Sequence, residues 1–415
     1  MMKSTCKNVR LILIGFALVV LPLVSVAANP PRSWNHRDNP ALMGVGNRRF
    51  FEMAATQSFG MSNSYFTSGE VLQPTFVLNL DDLGSQLGDG QLSVASTSHT
   101  NAHVSVSILG ATASVYSWVD SVVSLGIPGS LFTLLAEGNQ IDSTYSDSAP
   151  VLGRVFAEAG AQGSYRYQDW EIGVKLGLFT PILYTDSDAE VIYRFATDEA
   201  DGTLDLSGGL NVPAYSSINF DDPGASAVSL DGVKLDLGVI KVRPDGDPWF
   251  GANIGGITLS PAVAAYGVAI ENQVSISVTN PIGDSSEDVV TTETTGSEPT
   301  VEESVNESIR MPFKFGGFYR SRIVPWLALT GYGQVYVADP TLVAIGGMVE
   351  GAVFPLRGLS FSLGYDRVAW ETEVGLRANL RVIDIGFEVG LSSPRFVTMW
   401  QGSGLNAHLF LAVGL

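Results

Sequence analysis

Residues 404–415 read "GLNAHLFLAVGL", and their alternation decides the fold. Leu405, Ala407, Leu409, Leu411, Val413 and Leu415 share one face; Gly404, Asn406, His408, Phe410, Ala412 and Gly414 share the other. This is a β-strand with one greasy face and one small or polar face. Chain ends are usually polar and frayed. An apolar strand running to the last residue predicts a partner, and a closed sheet supplies one by pairing the last strand with the first.

The same two-sided pattern recurs upstream. In "DWEIGVKLGLF", Trp170, Ile172, Val174, Leu176 and Leu178 oppose Glu171, Gly173, Lys175 and Gly177. In "SIRMPFKFGGFYR", Ile309, Met311, Phe313, Phe315 and Tyr319 oppose Arg310, Lys314 and Arg320. In "TEVGLRANLRV", Val374, Leu376, Ala378, Leu380 and Val382 oppose Gly375, Arg377, Asn379 and Arg381. Segments of about ten residues, apolar on one side, are the mark of a transmembrane barrel.

Composition separates a barrel from a soluble sandwich. Charged residues are only 16% of the 415, against about 25% in ordinary globular domains. Mean hydropathy is +0.21. After residue 28 no apolar run is long enough for a spanning helix, which needs about 20 residues. A closed barrel is the other structure that leaves no backbone group unpaired in lipid. Trp170, Trp249, Trp326 and Trp370 fall at strand ends, where an interfacial aromatic belt belongs. Lys3, Lys7 and Arg10, an apolar run and the small residues of "VSVAAN" predict a signal peptide over 1–28, cleaved after Ala27 or Ala28. Cys6, the sole cysteine, leaves with it, so no disulfide is expected.

The expected fold is therefore all-β: one antiparallel transmembrane barrel of about 14 strands over 29–415, with short helices in an N-terminal plug and one long loop. Upstream strands are expected near 90–98, 102–115, 152–167, 189–195, 203–207, 230–242, 249–259 and 262–278. Short turns are expected near 260 ("LSPA"), 323, 355 and 382 at one end. Longer connections fall at "ADPT", Arg367–Glu371 and "SSPRFVTMWQGSG" at the other. The acidic, Ser/Thr-rich stretch 280–308 is expected to be a solvated extracellular loop.

Two segments lack strand periodicity. In 117–140, Trp118, Val122, Leu125, Leu131, Leu134 and Leu135 fall at helical spacing, and Gly138 suits a helix stop. This predicts a helical hairpin, or two short helices, that packs on the barrel or walls an apolar ligand. In "WNHRDNPALMGVGNRRF", Asn39 can cap a helical turn with Pro40 at its first position, followed by Ala41, Leu42 and Met43.

An Asn-Pro-Ala tripeptide just before the barrel, here Asn39, Pro40 and Ala41, resembles the long-chain fatty-acid transporter family of the outer membrane and its aromatic-hydrocarbon relatives. The resemblance implies fourteen strands, a lumen plugged by an N-terminal hatch (here within 29–60) and an apolar ligand pocket. Ligands would then leave sideways through a gap in the wall.

Chemistry is otherwise sparse. His99 and His103 lie on one face of a strand but about 13 Å apart, too far to share a metal. His36 and His408 have no motif around them, and "TDSDAE" reads as a polar turn. No nucleophile elbow, zinc helix, phosphate loop or C-x-x-C occurs. Neither an enzyme nor a cofactor is expected, and a net charge of −19 argues against nucleic acid. Expected partners are outer-membrane lipid, a hydrophobic small molecule and the barrel-assembly machinery.

Three functions fit. The first is passive transport of fatty acids or hydrocarbons, with Asn39–Met43 as plug and Trp118, Leu131, Leu134 and Leu135 as ligand wall. The second is a general porin, with Arg310, Lys314, Arg320, Arg377 and Arg381 lining a wet lumen. The third is a structural or surface-binding envelope protein that makes contact through 280–308.

Overall fold

The computed structural model describes residues 39–415 except 46–48, 72–78, 88–89, 138–143, 199–202, 220–228, 280–288, 297–299, 353–357 and 381. Residues 1–28, read from the sequence as a signal peptide, and Arg381 lie outside the described residues.

Fourteen antiparallel strands close into a barrel. In chain order they begin with β1 (Phe51–Asn63), β2 (Gln91–Ile108), β3 (Ala111–Pro128), β4 (Thr144–Tyr167) and β5 (Trp170–Thr185). Next come β6 (Glu190–Asp198) and β7 (Thr203–Ser216), which leave the wall, then β8 (Gly232–Val242) and β9 (Pro248–Ser260), which rejoin it. β10 (Ala262–Thr279), β11 (Val289–Gly296) and β12 (Thr300–Ile309) again stand off the wall. The wall resumes with β13 (Phe313–Val324), β14 (Leu327–Val337), β15 (Leu342–Gly351), β16 (Gly358–Asp366), β17 (Ala369–Asn379), β18 (Ile383–Ser393) and β19 (Gly404–Gly414).

The seam is where the terminal alternation predicts it. β19 pairs with β1 from Ser62↔Gly404 to Glu52↔Gly414, and Leu415 donates its N–H to the Phe51 carbonyl at 2.9 Å. Leu405, Leu409, Leu411 and Val413 are exposed on the outer wall, while Phe410 and Ala412 are buried inside. Neighbouring strands continue the outer band with Ile385, Phe387 and Val389 on β18, Val374 and Leu376 on β17, and Ile172 to Leu178 on β5. So wide a ring of exposed aliphatic side chains is stable against lipid tails and would not be in water. Belts of rings bound it. Trp170, Phe250 and Trp249 interact edge-on near the end with tight turns; Tyr365, Trp370, Phe396 and Trp400 do so at the end with long loops.

Fourteen agrees with the expected count, but the membership differs. β1 covers residues assigned to the hatch. β6, β7 and β10, read as wall strands, instead form an outer sheet with β11, β12 and the first residues of β4. β4 has 24 residues, roughly 80 Å at ~3.3 Å per residue, so it overshoots the bilayer and carries this sheet beyond it. The stretch 280–308 accordingly contains strands β11 and β12 rather than being loop throughout. No turn occurs at "LSPA": the chain passes through Pro261 from β9 into β10, and the tight turn lies at 243–247.

The segment 117–140 is also corrected. Trp118, Val122 and Leu125 belong to β3, and only Gly129–Glu137 is helical. Finally, the apolar face over 309–319 is not continuous. The strand breaks at 310–312, so Ile309 and Met311 turn into the core while Phe313, Phe315 and Tyr319 face outward.

The described residues also include four short α-helices: α1 (Ser68–Val71), α2 (Leu80–Leu87), α3 (Gly129–Glu137) and α4 (Phe396–Met399). α2 and α3 cap the loop end by packing Leu83 and Leu87 with Leu92 and Phe132.

Candidate functional site: a plugged lumen with a polar-floored cavity

Viewed from the turn end towards the loops, the lumen holds a plug, an ionic floor and a cavity. The plug is a single 3-10 turn, Pro40–Gly44, with every residue buried. The Asn39 side-chain oxygen accepts from the Ala41 N–H at 3.0 Å, and its Nδ2 donates to the Ala252 carbonyl of β9 at 3.2 Å. One side chain thus caps the turn and ties it to the wall. Ala41, Leu42 and Val45 pack on Ile240, Val242 and Phe318.

The wall makes room with glycine. A Cβ on Gly173 of β5 would stand 2.2 Å from the Ala41 nitrogen, and one on Gly238 of β8 would stand 2.0 Å from the Asn39 side-chain oxygen. No larger residue fits beneath the turn at either place. The "GVKLG" alternation places Gly173 on the inner face, but nothing local in the sequence shows that plug backbone lies against it.

Above the plug sits a cluster of buried charges. Lys234 Nζ lies 2.8 Å from both Glu158 and Asp236; Lys175 Nζ lies 3.4 Å from Glu158 and 3.7 Å from Asp236. Tyr116 donates its hydroxyl to Glu158. Both ammonium groups lie 5.5 Å from the Trp118 ring centroid, and Lys175 is 4.5 Å from that of Tyr116. Asp236 also accepts the Gly256 N–H at 2.7 Å. Each charge has an opposite partner and a ring or donor beside it, as buried ions require.

Above this floor is a small, partly open cavity of about 50 Å³, room for a few waters. Its walls include Trp118, Val122, Phe156, Met311, Pro312 and Leu342. Arg154, Lys234, Lys314, Arg367 and Asp120 supply polar groups. Arg367 is committed to Asp120 at 3.0 Å and Asp366 at 3.2 Å, and Arg154 donates to the carbonyls of Asp339 and Pro340.

The residues singled out from the sequence do not all meet here. Trp118 and Lys314 line the cavity, and Asn39 to Met43 form the turn below it. Leu134 is buried in α3 and Leu135 is exposed on it; neither these nor Leu131 line the cavity. Arg310 is exposed and lies in the break between β12 and β13. Arg320 and Arg377 face inward but are paired. Arg320 bonds Glu350 and lies 3.3 Å from Asp247, and Arg377 makes a two-pronged contact with Asp384 at 3.2 and 2.9 Å. His99 and His103 are buried beside Asp120 and Glu52, each at 3.8 Å, and no metal-holding group occurs among the described residues. Sequence reading missed Glu158, Asp236, Arg154, Phe156 and Arg367, which are far apart in the chain. Their only local signal was a charged or aromatic residue on the inner face of a strand.

In layout the chain is similar to several solved transporter and channel structures. The toluene transporter TbuX of Ralstonia pickettii aligns with 94% of this chain and 95% of its own, at 8% identity and a TM-score of 0.47. The monoaromatic hydrocarbon channel CymD aligns with 94% and 95%, at 9% identity and 0.43. A FadL homologue of Pseudomonas aeruginosa aligns with 94% of each chain, at 9% identity and 0.39. No family model and no curated protein matches the sequence.

Proposed function

We propose that this protein is an outer-membrane barrel, exported by a cleaved signal peptide, that lets hydrophobic small molecules cross passively. The observation that carries this reading is the cavity held between the plug and the cap helices. Trp118, Val122, Phe156, Met311, Pro312 and Leu342 give it an apolar side, charged residues line the rest, and the turn 39–45 lies in the lumen below it, so at about 50 Å³ it is a constriction that a passing molecule must widen. A general porin needs continuous water, and the buried plug and paired lumen cations disfavour that.

Among apolar cargoes those with a carboxylate are favoured, because an anionic head passing this constriction would meet Lys314 and Arg154 beside Trp118 and Phe156. Desolvating a hydrocarbon tail supplies affinity, and a charge-assisted contact fixes its orientation. The test uses vesicles with a lipopolysaccharide outer leaflet, with and without the protein. Saturable uptake of a medium-chain fatty acid above that of protein-free vesicles is expected. Lys314→Met should weaken uptake of the acid about tenfold and leave toluene uptake unchanged, consistent with the loss of one charge-assisted contact. Uptake no faster than in protein-free vesicles would remove the proposal.

A further inference from the structure

A second cleft lies at the turn end, at the mouth of the barrel. It measures about 650 Å³ and lies between the β4–β5 and β8–β9 turns. Arg166, Gln168, Asp169, Lys241, Arg243 and Trp249 line it. The chain carries 42 acidic against 23 basic residues, yet this lining holds three cations and one carboxylate. Such a local reversal of sign marks a place for an anion.

The cations are only partly compensated. Asp169 lies 2.9 Å from Lys241. The hydrogen bond from Lys241, together with the nearby charges of Lys241 and Arg166, holds its carboxyl below the usual carboxylate range. Arg243 contacts Asp247 at 3.1 Å, but that one carboxylate also serves Arg320 and Arg322, each at 3.3 Å. Arg166 has no ion-pair partner among the described residues.

The height of the cleft is set by its neighbours. Trp170 pairs across the wall with Lys241, whose Nζ lies 5.1 Å from the indole centroid, and Phe250 meets Trp170 edge-on at 5.7 Å. The lipid-facing band opens two residues further along β5, with Ile172 and Val174 exposed. Cations just outside an aromatic belt lie at the depth of lipid headgroups.

We propose that this cleft binds the phosphate of a membrane phospholipid in the leaflet at the turn end, with Arg166 and Lys241 as its contacts. The inference rests on the barrel spanning a bilayer and not on what passes through the lumen, so a failed uptake assay leaves it standing. Arginine and lysine suit a phosphodiester as charge-assisted donors, while the acyl chains would lie along Ile172 and Val174.

The test is native mass spectrometry of the purified barrel released from detergent with dioleoyl phosphatidylglycerol, dioleoylglycerol or inorganic phosphate. One phosphatidylglycerol should remain bound, dioleoylglycerol should not, and equimolar inorganic phosphate should fail to displace the lipid. Arg166→Gln with Lys241→Gln should cut the retained fraction about tenfold, and Lys241→Arg should keep it. If the double variant loses the gel shift of a folded barrel on boiling, Arg166→Gln alone, at a side chain with no ion pair to break, carries the test. Equal retention by wild type and variant, or equal retention of the two lipids, would overturn the proposal. Displacement by inorganic phosphate would assign the cleft to free phosphate and remove the lipid.

Discussion

At the scale of single residues, the lumen is held by close approaches and paired charges. Gly173 leaves 2.2 Å between an added Cβ and the plug backbone, so Gly173→Val must push the turn 39–45 off the wall. The expected outcome is a barrel that still folds but conducts ions. Planar-bilayer recordings would show steady conductance in the variant and little in the wild type. Lys175 is fully buried between Glu158 and Asp236. Lys175→Met leaves two buried carboxylates with Lys234 as the ammonium group between them, and should cost about 3–5 kcal/mol in urea unfolding from lipid vesicles. Adding Glu158→Gln should recover part of that loss, because the stranded charge goes with it. The plug turn could be read from Asn39 and Pro40, since capping is local chemistry. The ionic floor could not, because its members come from β4, β5 and β8 and meet only when the sheet closes.

Strands and helices show why some of the chain was legible and some was not. A strand with one face in lipid must alternate, so β5, β17, β18 and β19 announce themselves. Trp118 and Val122 are four apart, a spacing that returns to the same face in a helix and in a strand alike. That ambiguity hid β3 within an apparent helical hairpin. β6, β7 and β10 to β12 are strands too, but they lie beyond the lipid, and alternation does not report depth. Pro261 looked like a turn, yet the chain continues straight through it from β9 to β10. The seam strand gives the clearest prediction at this scale. Leu409 sits mid-way along β19 on the outer wall. Leu409→Arg should destabilise the barrel by about 2–4 kcal/mol in lipid vesicles, whereas Leu409→Ile at the same site should change stability far less.

For the whole molecule, a closed ring of fourteen strands places its apolar band outward and layers a plug, a charged floor and a greasy cavity within. Every functional statement depends on that inside–outside assignment. It can be tested on the strand that closes the ring. The chain has a single cysteine, Cys6, so single cysteines at 405, 407, 409, 411 and 413, and at 406, 408, 410 and 412, can be labelled one at a time in a chain starting after residue 28. Each labelled barrel is reconstituted in bilayers with brominated acyl chains, and quenching of an attached fluorophore is read. Strong quenching at the odd positions and weak quenching at the even ones is the result expected of a lipid-facing outer wall. Equal quenching of both sets, or none at either, would contradict it.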